Sequence, residues 1–113
     1  EGILIRVANN HMTMAYGIEA LEGRDAKAWP GFASEADVAS FPPTMVSVNE
    51  CDPLRDEGIE FYRLLQRAGV LAQCRQAMGT IHANEIFCAF MPDIARMTAR
   101  DMAGWLAECL LAR

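Results

Sequence analysis

Residues 41–58 read FPPTMVSVNECDPLRDEG, and this stretch decides the fold. Within it, Thr44–Asn49 is short, β-branched and apolar on both faces, as the interior strand of a parallel sheet is. Farther on, Arg55–Ala68 spaces its apolar residues along one helix face, opens with acidic residues and is followed by Gly69, a common helix stop. The stretch therefore predicts a buried strand followed by an amphipathic helix.

The same order repeats downstream. Val70–Met78 alternates apolar and polar residues, which predicts a second strand, nearer a sheet edge and ended by Gly79. Pro92 and Asp93 can start a last helix, for which one inward face is predicted: Ile94, Met97, Met102, Trp105, Leu106, Cys109 and Leu110. Strands that alternate with helices predict an α/β fold with right-handed crossovers. Two strands make too small a sheet to be independent, so we expect an incomplete sheet.

Residues 1–40 are predicted to form a connector with one short helix. Glu1–Val7 fits either a short strand or an extended connector, and both interpretations stay open. Met12–Leu21 is predicted to be helical and to stop at Gly23. The rest of the connector holds prolines and polar residues, with one turn of helix expected at Ser34–Val38.

Composition excludes several classes of protein. The chain has 113 residues and a formal net charge of −5, with no cluster of basic residues, so we expect no nucleic-acid partner. Its uncharged windows fall short of the roughly 18 apolar residues that span a bilayer, so we expect no membrane span. Hydrophobic residues make up 52% of the chain, and this apolar richness suggests faces that another segment covers.

Cysteine spacing argues against a metal site. The four cysteines, at 51, 74, 88 and 109, form no Cys-x-x-Cys pair and have no histidine at ligand spacing. Apolar neighbours are typical of reduced cysteines, which favours a cytoplasmic protein. We therefore expect no metal and no cofactor.

Two polar residues stand where α/β sheets place their working groups, just beyond the carboxyl ends of the strands. Asp52 follows the first predicted strand, and His82 comes three residues after Gly79. An imidazole held by a carboxylate is a general base. The alternatives remain that Asp52 only forms a turn and that His82 is an exposed loop residue. His11, in a polar turn, is a weaker candidate.

A nucleophile is harder to find in this sequence. Gly-x-Ser-x-Gly, which presents the serine of many hydrolases, does not occur around Ser34, Ser40 or Ser47. A thiol enzyme using Cys51 or Cys88 stays open, although Cys51 lacks the strained turn of such a nucleophile. A non-catalytic interaction or structural fragment, associating through exposed apolar faces and forming a homodimer, is a further alternative.

The stretch 41–58, together with Tyr62–Leu65 and Ala68–Val70, resembles the hormone-sensitive-lipase-like family of α/β-hydrolase esterases, nearest to its brefeldin A esterase branch. Gly79-Thr80-Ile81-His82 is similar to the Gly-x-x-His of that family. The resemblance covers residues 41–110 and implies that Asp52 is the acid and His82 the base of a catalytic triad. It also implies a small-molecule carboxylic ester as substrate.

The departures from the family pattern are informative. The family usually has glycine after the catalytic histidine, where this chain has Ala83, which tolerates positive φ poorly. Nothing in residues 1–51 matches the family's nucleophile or oxyanion motif. The resemblance therefore implies that residues 1–113 are a C-terminal piece of one α/β-hydrolase domain, comprising its last two parallel strands and their helices. Its partner would be the missing N-terminal half, and the piece alone would be inactive.

Overall fold

A computed structural model describes residues 17–86 and 91–112. Along the chain the elements are α1 (Ile18–Glu22), a 3₁₀ turn (Pro30–Phe32), α2 (Glu35–Val38), β1 (Thr44–Cys51), α3 (Arg55–Arg67), β2 (Ala72–Ile81) and α4 (Pro92–Leu111). The predictions for residues 1–7 and 12–16 lie outside the described residues. From β1 onward the predicted order of strand, helix, strand and helix is confirmed.

Within the described residues the sheet consists of β1 and β2, which are parallel neighbours joined by α3. Their register runs from Thr44 opposite Ala72 to Asn49 opposite Ala77. Leu65 of α3 is fully buried, and Val48 and Ala77 are buried in the two strands. The predicted α/β class is thus confirmed, with apolar burial between one helix and the sheet.

The ends of α3 follow from its sequence. Asp56 and Glu57 lie in its first turn and Arg67 in its last, which suits the helix dipole. At the other end Gly69 adopts a φ of 77°, its N–H donates to Gln66 O, and the N–H of Val70 donates to Leu65 O. This pair of bonds is a Schellman motif, which explains why the helix stops at the predicted place.

The second predicted strand boundary is wrong. Gly79 does not end β2, which continues to Ile81. Regular pairing stops at Asn49 with Ala77 and resumes at Cys51 with Ile81, so β2 carries extra residues in a bulge. Gly79 sits there with a φ of 71°, a conformation that glycine adopts without steric cost. As a result His82 directly follows the strand.

The connector packs onto α3 through the 3₁₀ turn and α2. The helical turn expected near Ser34 is confirmed as α2, whose capping box joins Ser34 and Asp37. Val38 at the end of α2 is buried, and Glu35 forms an ion pair with Arg67 of α3 at 3.2 Å. Upstream, α1 ends at Glu22 with Gly23 as its C-cap, which confirms the predicted stop.

Helix α4 begins at Pro92 as predicted, but its predicted inward face is partly wrong. Ile94, Trp105 and Cys109 are half-buried, whereas other members of that face are exposed: Met97, Met102, Leu106 and Leu110. The residues that α4 buries are Ala95 and Thr98. Among the described residues, no element covers the exposed apolar side of α4, which therefore remains open surface.

Candidate active site

Asp52 lies directly after β1, in the turn that leads into α3. Its Oδ1 accepts a hydrogen bond from the N–H of Leu54 at 2.8 Å, and its carbonyl accepts one from the N–H of Arg55 at 3.0 Å. The first of these bonds is an Asx turn, for which Asp before Pro53 is well suited. The side chain is only 11% exposed. The hydrogen bond from Leu54 holds its carboxylate in a defined orientation.

His82 directly follows β2 and reaches Asp52 across the ends of the two strands. The distance between His82 Nδ1 and Asp52 Oδ2 is 2.9 Å. An ionised carboxylate can only accept, so Nδ1 is the protonated nitrogen and Nε2 keeps its lone pair in the neutral ring. With 43% of its side chain exposed, His82 can reach a group outside this segment. An imidazole oriented by a carboxylate is the arrangement that general-base catalysis uses.

The turn after His82 has an unusual backbone. Ala83 has a φ of 54°, in the left-handed region where a Cβ is unfavourable. Two backbone bonds shape the turn, from Asn84 N–H to Ile81 O at 3.2 Å and from Ile86 N–H to Ala83 O at 2.9 Å. The structure thus shows that this position requires the conformation that glycine adopts most easily.

Arg55 and Asp56 form a charged pair where α3 begins. Arg55 Nε donates to Asp56 Oδ1 at 2.8 Å, and Arg55 Nη1 donates to the carbonyl of Glu50 at 2.8 Å. The hydrogen bond and charge of Asp56 raise the pKa of Arg55, and those of Arg55 lower the pKa of Asp56. Arg55 thereby links the end of β1 to the helix that follows Asp52.

Sequence reasoning missed a set of polar contacts beside Asp52 and His82. Asn49 and Thr80 are buried, and Thr80 Oγ1 lies 2.6 Å from Asn49 Oδ1. Asn49 Nδ2 also donates to Glu85 Oε2 at 3.2 Å, and Glu50 Oε2 accepts from the N–H of Gly79 at 2.6 Å. Asn49 was the residue from which such contacts could have been predicted, because an amide buried near the end of an apolar strand needs hydrogen-bond partners.

The serine, cysteine and histidine residues considered as alternatives lie in other environments. Ser34 donates to Asp37 Oδ2 within the α2 capping box, at 2.6 Å. Cys51 is an exposed free thiol at the end of β1. His11 and Cys88 lie outside the described residues. Within residues 17–86 and 91–112, no group of three or more metal-ligating side chains gathers.

A family model described as the alpha/beta hydrolase fold matches residues 2–86 of this chain. The chain belongs to the α/β-hydrolase fold family. Brefeldin A esterase, described as a bacterial homologue of human hormone-sensitive lipase, is 44% identical and superposes with a TM-score of 0.79 over 88% of this chain. The hormone-sensitive-lipase-like recognition and the α/β-hydrolase class are therefore confirmed.

Two further relatives of this α/β-hydrolase chain are also esterases. The solved structure of esterase Est22 is 64% identical, with a TM-score of 0.80 over 82% of this chain. A carboxylesterase NlhH of Mycobacterium tuberculosis is 34% identical over 68 residues, or 60% of this chain. The match spans 21% of that carboxylesterase, 27% of Est22 and 28% of brefeldin A esterase, so this chain corresponds to about a quarter of each.

No helix in the described part combines the length and the apolar character that a membrane span requires. The longest, α4, has 20 residues and interrupts its apolar residues with charged ones.

Proposed function

We propose that this chain is the C-terminal part of a serine carboxylesterase domain and supplies its triad acid, Asp52, and its general base, His82. The observation that carries the proposal is the 2.9 Å contact between Nδ1 of His82 and Oδ2 of Asp52, at the carboxyl ends of adjacent parallel strands. Membership of the α/β-hydrolase family and the esterase relatives support it. The substrate class is a small-molecule carboxylic ester.

The reaction assigns a defined role to each group. A serine from the segment outside this chain attacks the ester carbonyl, while His82 Nε2 takes its proton and then delivers it to the leaving alcohol. Asp52 holds the ring orientation and stabilises the imidazolium. Water, activated by the same nitrogen, then hydrolyses the acyl-enzyme. Backbone N–H groups of the other segment would stabilise the oxyanion. Neither a metal nor a cofactor is needed.

The proposed domain organisation assigns residues 1–113 to a single domain, with a connector in residues 1–40 and the strand and helix repeat in 41–113. Because the sequence contains no Gly-x-Ser-x-Gly, we expect the 113-residue chain alone not to hydrolyse p-nitrophenyl esters. The intact protein, which contains these residues together with the nucleophile segment, should hydrolyse them. The free thiols of Cys51, Cys74 and Cys109 favour a reducing, cytoplasmic location.

Substituting Asp52→Asn in the intact protein tests the role of the acid. An amide at this position donates to Nδ1 instead of accepting, which favours the wrong imidazole tautomer and should lower kcat by about 10⁴-fold. Asp93→Asn is the matched control, since Asp93 lies in the first turn of α4 and pairs with Arg96. An Asp52→Asn enzyme with a kcat within threefold of the Asp93→Asn enzyme would refute the assignment.

A second candidate function is a non-catalytic interaction module that dimerises through apolar surface. The exposed side of α4 favours it, since Met97, Leu106 and Leu110 are each about 60% exposed. Light scattering separates the two functions, because a monomer at high concentration argues against the module. An intact protein that dimerises and does not hydrolyse esters would favour the interaction module.

A further inference from the structure

We propose that Asn49 and Glu85 are positioning residues that hold the turn bearing His82 against the end of the strand bearing Asp52. The inference rests on the proposed function, since it concerns the geometry of the same acid and base. It assigns to both side chains a role in the relative placement of two groups that they do not themselves touch.

The need for such a contact arises at the bulge of β2. Backbone pairing between β1 and β2 is interrupted after Asn49, just before the two strands deliver their functional residues. A bulge breaks the ladder locally and leaves backbone groups to find other partners. Here the carboxylate of Glu50 accepts the N–H of Gly79 at 2.6 Å. Side chains of β1 thus take over the connection between the strands.

Of these inter-strand side-chain contacts, the one from Asn49 to Glu85 joins the residues farthest apart in the sequence. Asn49 is 5% exposed, and its Nδ2 donates to Oε2 of Glu85 at 3.2 Å. Its Oδ1 lies 2.6 Å from the hydroxyl of Thr80, whose single proton is shared between Asn49 and the carbonyl of Ala77, also at 2.6 Å. The bonds of the Thr80 hydroxyl are buried and the bond to Glu85 is part-buried. Hydrogen bonds shielded from water are directional, and leaving a buried donor such as Nδ2 of Asn49 without a partner is costly.

The positions of the two partners explain the consequence for the site. Asn49 stands three residues before Asp52, and Glu85 stands three residues after His82. Their hydrogen bond therefore connects the segment that carries Asp52 to the segment that carries His82, a few residues away from the contact between those two side chains. Without it, the turn would be held by its two local backbone bonds while Ala83 keeps an unfavourable φ of 54°. Relaxation of that strain would move the imidazole away from Asp52.

The test compares three glutamate variants of the intact protein. Glu85→Ala should lower kcat for a p-nitrophenyl ester by about 10- to 100-fold, because small misplacements of a catalytic group have effects of this size. KM should stay within about twofold. Glu85→Gln keeps an oxygen that accepts from Asn49, so its kcat should stay within about threefold of the parent enzyme. Glu60→Ala, on the exposed face of α3, is the matched control and should have no effect.

A second variant and a spectroscopic signal make the result independent of one substitution. Asn49→Asp has the same shape but replaces the donor by an acceptor facing Glu85, so it should lower kcat as Glu85→Ala does. The downfield proton resonance of His82 Nδ1–H should persist in Glu85→Gln and broaden or vanish in Glu85→Ala, because that proton then exchanges with water.

Three outcomes would overturn the positioning role. Equal kcat losses in Glu85→Gln and Glu85→Ala would mean that charge, not the hydrogen bond, matters. An unchanged kcat in Glu85→Ala would mean that the turn needs no such contact, and a raised KM alone would place Glu85 in substrate binding. A His82→Ala enzyme in the same assay distinguishes failure of the positioning role from failure of the proposed function. If it is inactive while Glu85→Ala is normal, only the positioning role fails, whereas an active His82→Ala enzyme refutes the proposed function.

Discussion

Gly58 lets α3 approach β1 closely, and its replacement by alanine should weaken the fold beside the site. A Cβ at this position would lie 2.7 Å from Cγ1 of Val48, well inside van der Waals contact. Val48 is buried at 6% exposure and, being β-branched, is confined to few rotamers. Either Val48 or the helix must therefore move. Since Leu54 and Arg55 at the start of α3 bond to Asp52, a shifted helix would also disturb the position of Asp52.

The magnitude follows from two opposing terms. Alanine is favoured over glycine in a helix interior by about 1 kcal/mol, and overpacking a core costs about 1–3 kcal/mol. Taking the middle of that range, Gly58→Ala should lower the free energy of unfolding by about 1 kcal/mol. Gly104→Ala in α4 is the matched control, because among the described residues nothing lies within 4 Å of its Cβ position. It should raise the free energy of unfolding by about 1 kcal/mol.

Equilibrium urea unfolding of the intact protein, followed by circular dichroism, measures both changes. A double-mutant cycle with Val48→Ala then identifies the clash, because Gly58→Ala should cost less once Cγ1 is gone. If Gly58→Ala stabilises the protein as much as Gly104→Ala does, the close approach of α3 to β1 is refuted. The same holds if the cost of Gly58→Ala is unchanged in the Val48→Ala background.

Three further predictions concern the turn, α2 and the thiols. Ala83→Gly should stabilise the intact protein by about 0.5–1 kcal/mol in urea unfolding, because glycine relieves the positive φ; a loss of stability would contradict this. Ser34 lowers the pKa of Asp37 by hydrogen bonding. Asp37 therefore stabilises the fold above its ordinary pKa of 3.8, and this stabilisation is lost as the pH falls through the lowered value, so Ser34→Ala should destabilise more at pH 6 than at pH 2.5. Alkylating every thiol, Cys51 included, should leave ester hydrolysis intact, and its loss would revive a thiol mechanism.

The sequence was sufficient to predict what local patterns determine. The strand after Pro42 and Pro43, the helix ended by Gly69 and the helix begun by Pro92 all form where the pattern placed them. Each boundary has a local cause, such as the Schellman motif at Gly69. The juxtaposition of Asp52 and His82 was also predictable, because adjacent parallel strands end at the same edge of a sheet.

What failed depended on contacts between distant segments. Gly79 predicts a strand end and a strand bulge equally well, since both use positive φ, and pairing with β1 decides between them. The partner of Asn49 is Glu85, 36 residues away, which no periodicity reveals. The exposed apolar residues of α4 show the same limit, because an apolar stripe indicates a buried face without indicating what buries it.

The central claim is that His82 is the general base of an ester hydrolase, and one comparison of histidine variants tests it most directly. The chain has two histidines, so His11→Ala is the matched control for His82→Ala in the intact protein. We predict that His82→Ala loses at least 10³-fold in kcat for p-nitrophenyl acetate at unchanged fold, while His11→Ala keeps the parent rate. A His82→Ala enzyme as fast as the His11→Ala control would contradict the claim.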